Sequence, residues 1–146
     1  MDHLPKPITV EQQFRHSKLD VWNAITSLQQ MKQWYFSNIP SFEATKGFKT
    51  NFIVQNEDRI FPHYWKITEV IPSKKIAYEW TFKGYQGKGL SEFELFEDGD
   101  MTLLKLTFTV LKKFPDTIPE FKRQSGLDGW NYYIKGTLKD YMDSKT

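Results

Sequence analysis

The hydrophobic period of this chain changes once, near its C-terminal end, and that change limits the folds open to it. From Phe48 to Val110 most apolar residues fall into stretches that repeat every second position. Leu127, Trp130, Ile134, Leu138 and Tyr141 are instead spaced three, four, four and three apart. The first pattern belongs to strands with one buried face. The second belongs to one helix stripe, about 20 Å long at 1.5 Å per residue. The spacing predicts one helix over 128–142, with Trp130, Ile134 and Leu138 against a sheet. A sheet with one apolar face needs cover, and only this helix is long enough to supply most of it.

The strands read off in turn. Ile8 to Arg15 alternates, with Ile8, Val10 and Phe14 on one face. Phe48, Thr50, Phe52 and Val54 share a face, and Phe61, His63, Trp65 and Ile67 do so in the next strand, which ends at Pro72. Ser73-Lys74-Lys75 is a turn. Ile76, Tyr78, Trp80 and Phe82 line the strand after it, and Gly84, Gly87 and Gly89 bracket a connection. Phe93 and Leu95 alternate with Glu92, Glu94 and Glu97. Glu97-Asp98-Gly99-Asp100 is a hairpin signal, with Asp98-Gly99 suited to positive φ. Thr102, Leu104, Leu106, Phe108 and Val110 complete the last strand.

Two helical segments follow the first strand. Ser17 is a capping residue with Asp20 three positions on, and Val21, Trp22, Ile25 and Leu28 form a stripe. Trp22 belongs to the core between helix and sheet. A short turn carries Met31 towards Trp34, and Trp34-Tyr35-Phe36 leads into a loop near Pro40. Pro115 and Pro119 stop the sheet, and Phe121 lies in an earlier turn interrupted near Gly126 and Gly129. The order is strand, helical segment, about five strands, long helix. It predicts an α+β domain with a curved antiparallel meander of about six strands. An all-β barrel of lipocalin type is the alternative, but it has no place for the two helical stripes.

Several function classes are excluded or disfavoured. The 146 residues form one domain, 1–146, with no repeat or low-complexity linker. A net charge of +2, with acids and bases intermixed, leaves no basic face for nucleic acid. Lys74-Lys75 and Lys112-Lys113 are solvated turn charges. With no cysteine, disulfides, thiol nucleophiles and zinc-thiolate sites are absent. No secretory signal or bilayer-spanning stretch is expected, and a cytoplasmic location follows by elimination. His3, His16 and His63 show no metal-ligand spacing, and Gln124-Ser125-Gly126 lacks the first glycine of a nucleophile elbow. No metal, cofactor or catalytic residue is assigned.

The matching residues are spread over the chain. They are Val21-Trp22 after a strand and a Ser-Lys-Leu-Asp turn, Trp34-Tyr35, the run Ile67 to Pro72 followed by Ile76 to Trp80, the run Thr102 to Leu106, and Gly129-Trp130 opening the last helix with Leu138-Lys139 beyond. In this order the chain resembles the START-like, or SRPBCC, superfamily. Within it, the chain is similar to the family of the C-terminal domain of the activator of the 90-kDa heat-shock chaperone ATPase. The resemblance implies a helix-grip fold and, as in many relatives, a deep hydrophobic cavity between helix and sheet. It implies no single activity, since the superfamily holds lipid carriers, hormone receptors and polyketide aromatases.

The aromatic content of 16% suits either solid core or a lined pocket. The candidate lining residues are Trp34, Phe52, His63, Trp65, Trp80, Phe108, Trp130 and Ile134, and each can equally be plain core. His63 is the histidine on an aromatic strand face, placed to orient a ligand. Glu69 shares that face by strict alternation, and a bulge near Pro72 is expected to turn it outward. An aromatase or cyclase needs an inward acid–base pair, for which only His63 and Glu69 qualify. A small hydrophobic molecule is the expected partner, with a chaperone as the alternative.

Overall fold

In the computed structural model, which describes residues 4–145, consecutive strands are neighbours from the second to the last. The strands are β1 (Ile8–Phe14), β2 (Lys49–Asn56), β3 (Arg59–Ile71), β4 (Lys75–Phe82), β5 (Lys88–Asp98) and β6 (Met101–Lys112). All pairings are antiparallel, in the order β1-β6-β5-β4-β3-β2. The register places Ile8 opposite Phe108 and Val10 opposite Leu106, so the inward faces of β1 and β6 coincide. β1 and β2 remain as free edges, so the sheet is open rather than a closed barrel. His3 lies outside the described residues.

Between β1 and β2 run α1 (Lys18–Thr26) and α2 (Leu28–Trp34). The Ser17 hydroxyl accepts from the Asp20 amide at 3.1 Å, the N-cap that the sequence predicts. α1 buries Val21, Trp22, Ala24 and Ile25. The Trp34 indole N–H donates to the Ala24 carbonyl at 2.8 Å and locks the two helices together.

The last helix is longer than the spacing predicts. It runs without interruption over 123–143 as α3 (Arg123–Trp130), a π-helical stretch (Asn131–Thr137) and α4 (Leu138–Asp143). Gly126 and Gly129 sit inside it, and Phe121 belongs to a separate 3₁₀ turn, Pro119–Phe121. Its buried residues are Trp130, Ile134, Leu138 and Met142, four apart at each step. Met142, not Tyr141, ends the stripe. At 3.6 residues per turn a four-residue step overshoots by about 40°, so an α-helix would carry the row off the sheet. The wider π turns cancel that drift. The Thr137 hydroxyl reaches the Trp34 carbonyl at 2.7 Å and ties this stretch to the end of α2.

Two further differences have local causes. The β5–β6 hairpin turns on Gly99-Asp100, one residue later than Asp98-Gly99, because Asp98 still pairs with Met101. The bulge in β3 falls at Thr68, not near Pro72, between the pairs Ile67–Tyr78 and Glu69–Ala77. It turns the Glu69 carboxylate outward, 3.0 Å from the Lys75 ammonium, which also meets Glu92 at 3.0 Å. The helix shares the cover of the sheet with the segment after α2. Tyr35, Ile39 and Phe42 are buried with it, and Phe42 meets Trp65 edge-on at 6.2 Å between ring centroids.

Candidate ligand-binding site

Between the sheet and the last helix a cavity of about 850 Å³ opens beside α3. Its inner wall is aromatic. Trp80 and Phe82 on β4, Phe108 on β6, Phe61 and His63 on β3, and Trp130 and Tyr133 on the helix face it, with Phe36 from the loop after α2. Trp80 meets Trp130 at 5.6 Å and 71°, and Phe108 at 6.0 Å and 90°. The Trp80 indole N–H is spent on the Ser91 hydroxyl at 2.9 Å, so this residue offers the cavity a ring rather than a donor.

The mouth is built by the segment between β6 and the helix. Phe114 and Phe121 stack at 5.1 Å and 12° across the two prolines of that segment. Glu120 holds it to the β2–β3 hairpin, accepting from Asn56 at 2.6 Å and from Arg59 at 2.8 Å. The Arg59 guanidinium keeps the Glu120 carboxyl below its ordinary range. Lys6, Lys113, Asp116, Lys122 and Arg123 complete the rim.

His63 is the polar exception on the inner wall. It is 8% exposed and ringed by Phe82 at 4.7 Å, Phe52 at 5.1 Å, Phe36 at 5.4 Å and Trp80 at 5.7 Å. Burial pushes its pKa down to about 4, against the weaker opposing effect of its bond to the Phe61 carbonyl. The imidazole is therefore neutral at pH 7. A carbonyl only accepts, so the Nδ1···O contact of 2.9 Å places the ring proton on Nδ1.

Of the eight candidates read from the sequence, the structure brings His63, Trp80, Phe108 and Trp130 to the cavity wall. Trp34, Phe52, Trp65 and Ile134 lie outside that lining, in the packed core. Trp34 is turned towards α1 by its bond to Ala24, and Ile134 is fully buried. Glu69 is not brought to His63. It is held by Lys75 away from the lining, so the acid–base pair of an aromatase or cyclase does not form there. Sequence reasoning missed Phe36, Phe61, Phe82, Phe114, Phe121 and Tyr133. Phe61 and Phe82 were legible by alternation. Phe114 and Phe121 carried a weaker signal, as rings flanking two prolines.

Two glycines make room for the wall. A Cβ on Gly89 would stand 2.2 Å from Cζ of Phe108, and one on Gly87 (φ +113°) would stand 2.9 Å from Cα of Phe114. Gly89→Ala must therefore displace the Phe108 ring, and the open space beside that ring is the cavity. The expected cost is about 1–3 kcal/mol in chemical denaturation, as for other overpacked sites. A neutral result would show that Phe108 moves freely.

An open six-stranded sheet gripping one long helix, with an aromatic cavity between them, defines a helix-grip domain of START type. The family model described as "Activator of Hsp90 ATPase homolog 1-like protein" matches residues 15–143, and the chain belongs to that family. Among solved structures, Mll3558 from Rhizobium loti is similar with a TM-score of 0.80 and 15% identity over 96% of this chain and 99% of that one. The Aha1 dimer from Colwellia psychrerythraea gives 0.72 and 18%, over 96% and 98%. DynU16, from the dynemicin biosynthetic locus, gives 0.76 and 20% over 96% of this chain and 48% of that one, so this chain spans about half its length. No curated protein matches. At these identities the likeness is one of fold. Among the described residues no helix is long and apolar enough to cross a membrane.

Proposed function

We propose that the cavity binds a small hydrophobic molecule, planar or acyl, between the sheet and α3. The supporting observation is the 850 Å³ space itself, faced by Trp80, Phe108 and Trp130 yet left unfilled by any of them. A concave space of this size, open at one side and lined inside mainly by aromatic rings, has the usual form of a small-molecule site. A ligand burying roughly 300 Å² of apolar surface gains about 7 kcal/mol before the costs of association. The biosynthetic setting of DynU16 is consistent with a binding role. The proposed location is the cytoplasm.

A saturable quench of tryptophan fluorescence by a planar aromatic or fatty-acyl compound is the expected result. Trp130→Ala should weaken that binding by more than about 1 kcal/mol, as truncation of a central aromatic contact does. A broad hydrophobic panel with no saturable binder to well-folded protein would overturn the reading. The reading to test would then be contact with a chaperone through the outer surface, as the family's name suggests.

A further inference from the structure

We infer that the ligand of this cavity is a planar aromatic carrying a hydroxyl, and that His63 selects it by accepting that hydroxyl's hydrogen bond at Nε2. The inference rests on the cavity being the ligand site.

Nδ1 is already committed to the Phe61 carbonyl. That leaves Nε2 with a lone pair and no proton, an acceptor only. Nε2 makes no hydrogen bond to the described residues. The side-chain atoms sealed in the core without a partner are those of Tyr35 and Trp65, and Nε2 is not among them. It therefore opens onto the cavity that His63 lines. Around the imidazole are the rings of Phe36, Phe52, Trp80 and Phe82. A ligand without a donor would strip water from Nε2 and return nothing, and a buried acceptor left unmade is costly. A ligand with a hydroxyl at that point makes the bond in a medium where it is strong.

The rim narrows the donor further. Asp116 faces Lys113 at 4.0 Å, and Glu120 is held by Arg59. Lys6, Lys122 and Arg123 are left without a carboxylate among the described residues. Such a mouth disfavours a cationic donor, so an ammonium group is the wrong partner and a neutral hydroxyl the right one. The rings that line the cavity, Trp80, Phe82, Phe108 and Trp130 among them, offer faces and edges for an aromatic frame to carry it.

The test uses two compounds of one shape, 2-naphthol and 2-methylnaphthalene, titrated into wild type, His63→Phe and Trp130→Ala. The methyl compound is the more hydrophobic, so the informative quantity is the ratio of the two dissociation constants. His63→Phe should shift that ratio at least tenfold towards 2-methylnaphthalene. Trp130→Ala should weaken both compounds with little change in ratio, which places them in the cavity. A ratio unchanged by His63→Phe, with both compounds bound, overturns the role of His63 and leaves the cavity reading intact. Failure of both compounds to bind overturns the two together. Should His63→Phe not fold, the nitrogen-15 resonance of Nε2 in wild type decides. It should move upfield with 2-naphthol and stay with 2-methylnaphthalene, and a resonance that ignores 2-naphthol overturns the inference.

Discussion

Ile134→Ala is expected to lower the free energy of unfolding by about 4 kcal/mol, in the upper part of the range for isoleucine truncated in a packed core. The side chain is fully buried on the π-helical stretch and lies outside the cavity lining. Removing three carbons forfeits about 2.4 kcal/mol of transfer free energy, and the void adds a further term because neighbours relax only in part. The stretch packs on β1, whose backbone is held in the sheet and has little freedom to collapse. Urea denaturation should show the midpoint falling with the slope unchanged. A loss below about 1 kcal/mol would show that the stripe is not core. A loss between these limits would show that the cavity extends under the helix as far as Ile134.

The second large effect is a loss of stability in mild acid. Buried His63 has a pKa of about 4 against an ordinary 6.5. Above pH 6.5 both folded and unfolded chains hold this imidazole neutral, and it contributes nothing. As pH falls from 6.5 to 4 the unfolded chain takes up a proton that the folded chain refuses, so stability falls with pH. Below 4 both are protonated and the loss levels off at roughly 3 kcal/mol. The rings packed on it are Phe36, Phe52, Trp80 and Phe82, none of which titrates, and its shift comes from burial and the Phe61 carbonyl with no charged neighbour taking part. Glu120, held down by Arg59, adds its own loss at lower pH, but it does so equally in wild type and in His63→Phe. The difference between their pH–stability curves therefore isolates His63. Curves that run parallel from pH 7 to 4 would show that the imidazole is solvated in the folded protein.

The alternation of β2, β3, β4 and β6 was legible because it is a property of neighbouring residues. A strand's buried face follows from a period of two, whatever lies opposite. The same holds for the Ser17 cap and for the switch to helical spacing after Pro119. The end of the stripe was not legible. Choosing Met142 over Tyr141 required knowing that seven residues adopt π turns, in a stretch that is tied through Thr137 to Trp34, more than 100 positions away. Glu69 shows the same limit, since its direction hangs on a single unpaired residue in β3, Thr68.

The sequence by itself determined the element order, the inward rows and the long terminal helix, because each is written in local periodicity. Only the tertiary structure decided which inward residues meet a partner and which face open space. Trp65 and Trp80 occupy equivalent inward positions, directly paired across β3 and β4. Yet Trp65 is enclosed by Tyr35, Phe42 and Phe52, while Trp80 faces the cavity. The reason is geometric. Alternation sets the side of the sheet a side chain takes, whereas the gap between a curved sheet and its covering helix is set by the path of both along their whole length.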